Sequence, residues 1–223
     1  MLRIALVDGD AHIRTGRRLM IDSQSNLLLV FEESDAQVAL EKVPELLVDV
    51  IVIDQRLKGF DGLELARRLV DAYSDKSESC PTLIVTGTYA TPHLVMAAIR
   101  SGASDVVTQD APLSELLTAI NNSVESKAFA DFSSFDEVLS HADYKPSPDP
   151  LFILRRSQLS ESQKQFLDLL DSGIGVAQIQ RDLNLSDSEV QANLRSLLID
   201  LHFATFEQLY LALYDSRFGS KST

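Results

Sequence analysis

The stretch VIVIDQRLKGFDGLEL, residues 50 to 65, joins an apolar run to a carboxylate, a loop and the start of a helix. Val50, Ile51, Val52 and Ile53 are apolar at consecutive positions. An extended segment of that kind is hydrophobic on both faces and belongs in the middle of a sheet covered by helices on either side. Asp54 ends the run, and Asp61 suits the cap of a helix expected over 62 to 74. A second such run, Leu83, Ile84 and Val85, ends in Thr86. Working outward, apolar runs at 2 to 7, 27 to 31, 48 to 53, 82 to 85 and 104 to 107 alternate with helical patterns at 11 to 22, 36 to 43, 62 to 74, 92 to 101 and 112 to 126. This alternation predicts an α/β domain over 1 to 126, a five-stranded parallel doubly wound sheet.

After Lys127 the pattern breaks. Residues 127 to 158 mix Ser, Asp and Phe with Pro146, Pro148 and Pro150 and read as a linker, with one short helix at 134 to 141. From Ser160 the pattern is helical at 160 to 171, 176 to 184, 187 to 201 and 205 to 215, which predicts an all-α four-helix domain over 159 to 217 and a disordered tail at 218 to 223. Gly173 suits the position that ends a helix. Ser186, with Glu189 three residues on, forms a capping box at the start of the third helix of this set.

The 223 residues have a formal charge of -13. Such a charge favours solubility and repels phosphate backbones at long range, so nucleic-acid binding has to be sought in one domain rather than in the whole chain. No apolar run approaches the ~20 residues that a bilayer needs, and the first eight residues are too short and too acidic for a signal peptide, which together predict a cytoplasmic protein with no membrane partner. Cys80 is the one cysteine. It can form no internal disulfide and reads as inert.

In an open parallel sheet, ligands bind outside the C-terminal ends of the strands. Asp8 follows the first expected strand with Asp10 beside it, Asp54 ends the third and Thr86 ends the fourth. Carboxylates converging there suit a hard cation such as Mg²⁺, with Asp8, Asp10 and Asp54 as ligands. A bound cation would let Asp54 attack a phosphoryl group. A hydrolase built on Asp54 is disfavoured, because no separate general acid lies near it in the pattern, and the protein is read as no enzyme.

IALVDGD at 4 to 10, VIVIDQRLKGFDGLEL at 50 to 65, LIVTG at 83 to 87 and SGASDVVTQD at 101 to 110 resemble the four signature segments of receiver domains. The segment 159 to 209 resembles a LuxR-type helix-turn-helix at Leu159, Gly173, Ser186, Val190 and Leu201, among other positions. The chain therefore resembles a two-component response regulator of the NarL/LuxR type. The resemblance implies a flavodoxin-like receiver with Asp54 as phospho-acceptor, Thr86 and Gln109 in the phosphoryl pocket, the main-chain carbonyl of Arg56 as a further metal ligand, and a sensor histidine kinase as partner. Four departures mark the receiver as atypical. Gly9 stands where the family has its second acid and Gln109 where it has a lysine. Val106 replaces an aromatic residue, and Lys58 a proline. Asp10 is expected to compensate in part for Gly9.

By the same resemblance, the helix over 187 to 201 would present Ser188, Glu189, Gln191, Ala192, Asn193 and Arg195 to the DNA major groove. Arg, Asn and Gln can read base edges there. The domain is acidic, however, and the resemblance puts basic residues at the positions of Ser188 and Gln191, so DNA binding is expected to be weak and salt-sensitive. Arg155 and Arg156 are expected to add backbone contacts. A homodimer is expected, with Phe206, Leu209, Tyr210, Leu213 and Tyr214 as a surplus apolar face on the last helix. Two readings follow. One is a DNA-binding transcriptional regulator; the alternative is a phosphorylation-independent regulator that binds another protein and little or no DNA.

Overall fold

The computed structural model describes residues 1–74, 80–89, 91–123, 146–172, 174, 176–203 and 205–219. The chain divides into two units, Met1–Lys127 and Ala128–Thr223.

The first unit is the expected doubly wound sheet. Its strands are β1 (Leu2–Val7), β2 (Leu27–Glu33), β3 (Val50–Asp54), β4 (Thr82–Gly87) and β5 (Asp105–Thr108). They pair parallel in the order β2-β1-β3-β4-β5. Its helices are α1 (Ala11–Asp22), α2 (Ala36–Lys42), α3 (Gly62–Ser74), α4 (Pro92–Arg100) and α5 (Leu113–Asn122), with a 3-10 turn at Val43–Glu45. The two-residue period of the central strands divides the core. Val7, Ile51, Ile53, Leu83 and Val85 face Ala36, Ala39, Leu65, Leu69 and Ala98. Ile4, Leu6, Val50, Val52 and Ile84 face Met20, Ile21, Leu116 and Ile120. All of β3 is buried, as its unbroken apolar run requires.

Strands β3 and β4 run further than their apolar residues do. Asp54 and Thr86 lie inside the ladder and are register partners. Hydrogen bonding rather than side-chain polarity sets these ends: Gln55 N–H donates to the carbonyl of Thr86 at 2.7 Å and continues the pairing. The strand order reverses between β1 and β3, the topological switch point at which a crevice opens in such sheets.

The second unit contains α6 (Pro150–Gln158), α7 (Glu161–Asp171), α8 (Val176–Asp182), α9 (Asp187–Leu201) and α10 (Phe206–Gly219). Helix α6 occupies part of the segment read as linker, and α10 continues over two residues assigned to a tail. Asp149 caps α6 by accepting from Leu151 N–H at 2.9 Å, and Pro150 occupies the first turn, where a missing N–H costs least. One side chain anchors the helix: Phe152 is wholly buried against a core that includes Phe166, Leu167, Leu170, Leu194 and Leu197. Its neighbours Leu151, Ile153 and Leu154 are exposed at 55%, 52% and 56%, so the apolar spacing of α6 gives no sign of which face turns inward. Arg156 pairs with Asp168 at 2.7 Å and Asp171 at 3.0 Å, and Arg217 pairs with Asp171 at 3.2 Å, tying both α6 and the extended end of α10 to α7. The short helix expected at 134 to 141, the linker residues up to 145, Gly173 and the tail from 220 lie outside the described residues.

Truncating Phe152 to alanine should remove about 3 to 5 kcal/mol from this unit, whereas Leu151→Ala should change stability by no more than about 0.5 kcal/mol. Urea unfolding followed by far-UV circular dichroism distinguishes the two. Equal losses would show that α6 is not seated on the core through Phe152.

Candidate functional site

The strand ends bring Asp8, Asp54 and Thr86 together beneath the surface, where they are 0%, 2% and 0% exposed. Both carboxylates are held by the backbone of their own loops. Asp8 Oδ1 accepts from Asp10 N–H at 2.8 Å, and Asp54 Oδ1 accepts from Arg56 N–H at 2.8 Å. Gly62 lets the start of α3 close on β3, since a Cβ there would lie 2.1 Å from the carbonyl of Asp54. On the neighbouring loop Lys58 N–H donates to Ser34 at 3.3 Å, a bond that a proline could not make.

A residue that the sequence reading overlooked reaches this pocket. Arg17, on α1 and 4% exposed, donates through Nη1 to Asp8 Oδ2 at 2.6 Å and to Thr86 Oγ1 at 2.9 Å. Thr86 in turn donates to Asp54 Oδ2 at 3.3 Å. Burial pulls Arg17 below its ordinary value against the opposing pull of Asp8 and Asp54. Burial likewise pushes the Asp8 carboxyl up, more than the Asp10 N–H and Arg17 draw it down. A guanidinium remains charged in such a site, and removing one partner of a buried pair costs about 3 to 5 kcal/mol. A sequence signal was present. Ile13, Arg17, Met20 and Ile21 fall on one face of α1, so Arg17 is a cation at a core-facing position.

Gln109 donates through Nε2 to Asp54 Oδ2 and accepts through Oε1 from Arg56 Nη2 at 2.9 Å. Both oxygens of Asp54 are therefore engaged, Oδ2 by two donors. Asp10 caps α1 through Oδ1, accepting from His12 N–H at 2.8 Å and Ile13 N–H at 3.1 Å, and those bonds hold its carboxyl below its ordinary value. The Arg56 carbonyl lies against Gly9, where an added Cβ would stand 2.4 Å from it. Among the described residues no group of three acids, histidines or cysteines is arranged to hold a metal ion. With a guanidinium between Asp8 and Thr86 and the second acid absent, these residues do not fit a divalent cation. Burial pushes the Cys80 thiol up to about 12, so it is protonated at neutral pH.

Residues 4–121 match the response regulator receiver domain. The chain belongs to the response regulator receiver family. Receiver domains in general bind Mg²⁺ at the acidic pocket, and this member has Arg17 there. Over 207 residues the chain is 24% identical to the oxygen regulatory protein NreC of Staphylococcus aureus, covering 90% of this chain and 91% of that protein. Among solved structures it resembles the RcsB response regulator of Salmonella typhimurium, with TM-score 0.53, 18% identity and coverage of 97% and 98% of the two chains. It also resembles the signal receiver domain of a response regulator NarL from Mycobacterium tuberculosis, with TM-score 0.51, 24% identity and coverage of 56% and 97%.

In the second unit of this response regulator, α8 and α9 are joined by a turn through Asn184, whose φ of 52° is left-handed. The capping box of α9 is formed. Glu189 N–H donates to Ser186 Oγ at 3.4 Å, and the Glu189 carboxylate accepts from Ser186 N–H at 2.8 Å and from its hydroxyl at 2.6 Å. Glu189 is thus folded back on its own helix, and the Ser186 hydroxyl and N–H hold its carboxyl below the ordinary value. Val190, Leu194, Leu197 and Leu201 bury the inner face of α9, leaving Ser188, Ala192, Arg195 and Ile199 exposed, with Gln191 and Asn193 half-buried.

Two expectations are corrected here. Arg155 donates to the carbonyl of Leu201 at 3.2 Å, and Arg156 is paired with two aspartates, so both cations are used inside their own unit. The apolar residues Phe206, Leu209 and Leu213 are not surplus: they belong to the core of the unit, and Tyr210 is buried as well.

Because the Arg56 carbonyl lies against Gly9, Gly9→Ala should destabilise the receiver by about 1 to 3 kcal/mol. Gly9→Asp should do at least as much harm instead of restoring a metal ligand. Denaturant titration of both variants checks this, and a native-like midpoint would mean that the loop yields freely.

Proposed function

We propose that this response regulator is a DNA-binding transcriptional regulator in which α9 enters the major groove, and that its receiver responds weakly or not at all to phosphorylation. The exposed face of α9, which carries Arg195 and stands clear of a core that holds the opposite face, supports the first half. Arg195 is the only cation on α9. A solved RcsB complex with DNA, similar to this chain at TM-score 0.51 and 19% identity, agrees with that reading. Ser188, Ala192 and Arg195 would face the bases, with Gln191 and Asn193 at the edge of the contact. Glu189 would serve the capping box rather than DNA. Dimerisation on two half-sites would follow the symmetry of such readers, although the last helix contributes little free apolar surface to it. Among the described residues no helix is long and apolar enough to cross a membrane, in keeping with a cytoplasmic protein.

The second half rests on Asp54, whose Oδ2 accepts from both Thr86 and Gln109. Two donors on that oxygen lower its nucleophilicity toward a phosphoryl group delivered by a sensor histidine kinase, which would slow modification. Gln109 would then offer a neutral contact where a lysine offers a charged one, roughly half as strong. The acidity of α9, with Asp187, Glu189 and Asp200, favours the alternative of a protein partner.

Binding of random duplex DNA measured by anisotropy across a salt series should fall steeply with salt, since backbone contacts dominate affinity. Arg195→Ala should cost about 1 to 3 kcal/mol if Arg195 reads a base, or lower the salt slope by about one if it meets a phosphate. No binding at low salt by the native chain would give the protein-interaction reading first place. Separately, a small phosphodonor should label Asp54 substoichiometrically on a phosphate-affinity gel, and rapid complete labelling would refute the weak-receiver reading.

A further inference from the structure

We infer that Arg17 is the resident cation of the receiver pocket, supplying from its place against Asp8 and Thr86 the positive charge that the family supplies with a divalent metal ion, so that the pocket keeps its arrangement without one. Four observations converge. The guanidinium is buried and reaches two of the three pocket side chains directly, Asp8 Oδ2 and Thr86 Oγ1. It is also attracted by the charge of Asp54, the third. The second acid is replaced by Gly9, whose missing side chain would collide with the Arg56 carbonyl. Asp10, the remaining acid on the loop, is committed to the cap of α1.

A divalent ion and a guanidinium cannot share this space. Two buried carboxylates need a nearby positive charge, and Arg17 provides it covalently attached to α1, at no entropic cost of capture from solution. Arg17 is itself held in place. Arg14, one turn earlier, donates to the Asp8 carbonyl at 2.6 Å and pairs with Glu32 at 3.1 Å, so α1 is fastened to the ends of β1 and β2 on the side from which Arg17 enters. Because Thr86 accepts from Arg17 and donates to Asp54, the hydroxyl that would otherwise follow a phosphoryl group is pinned in one orientation. The receiver is therefore a fixed element, whose arrangement is independent of the divalent-ion concentration. This inference deepens the weak-receiver reading given above and is independent of DNA binding.

The test is titration of the full-length chain with Mn²⁺, the free ion being counted by its electron paramagnetic resonance signal with neither DNA nor phosphodonor present. The native chain should take up no saturable Mn²⁺. Arg17→Gln, which keeps a polar side chain but removes the charge, should gain a site that is lost again in Arg17→Gln/Asp8→Asn. Uptake by the native chain as tight as by the variant would overturn the inference. So would a site in neither, because the pocket would then reject the ion for a reason other than Arg17. If Arg17→Gln does not fold, melting of the native chain decides. Its Tm in millimolar MgCl₂ should equal that in NaCl of matched ionic strength, and a rise abolished by Asp8→Asn would overturn the inference.

Discussion

Asp8 and Asp54 emerge at the same buried edge because β1 and β3 are adjacent and in parallel register, and two carboxylates in that position require compensation. Arg17 supplies it. The contacts around this pair form a connected chain: Asp8 to Arg17, Arg17 to Thr86, Thr86 to Asp54, Asp54 to Gln109 and Gln109 to Arg56. Every polar group in that series has a partner, which is the condition for burying it in a medium of low dielectric. The loops after β1, β3 and β5 are thereby joined through side chains as well as through the sheet.

Seen from this pair, the departures from the family pattern are consistent with one another. A guanidinium in the pocket leaves no use for a second acid, and Gly9 allows the β3–α3 loop to close over the space. A lysine at position 109 would add a second cation beside the pocket that Arg17 already serves, whereas glutamine bonds Asp54 without adding charge. The substitution of Val106 for an aromatic residue has the same sense: this side chain packs at the edge of the apolar core and has no polar end to carry outward. What results is a receiver fold in which the pocket is a structural centre.

The second unit uses its cations in a similar way. Among the described residues, Arg155, Arg156 and Arg217 bond to carbonyl and carboxylate groups of their own unit, so these three charges are engaged within it. These pairs are partly exposed and each contributes modestly to stability, but together they position α6 and α10 on α7. The solvent-facing side of α9 is consequently near neutral except at Arg195, with acidic groups at both ends of the helix.

Local sequence determined most of the architecture of this protein. The doubly apolar runs at 50 to 53 and 83 to 85 dictate central strands, and the capping box of Ser186 and Glu189 dictates the start of α9, because each depends on neighbours within a few residues. Asp8, Asp54 and Thr86 were legible as a constellation for the same reason: strand ends in a parallel sheet share one edge. Tertiary structure alone decided what lies between them. Arg17 stands nine positions from Asp8 and 69 from Thr86 along the chain, and its side chain meets both only once α1 packs on the sheet. Asp10, adjacent in sequence to the pocket, has one carboxylate oxygen taken by the amides of α1. Helix α6 was hidden by the same principle, since one buried phenylalanine among exposed leucines leaves no period to read. Its place depends on a cavity formed by helices that follow it in the chain.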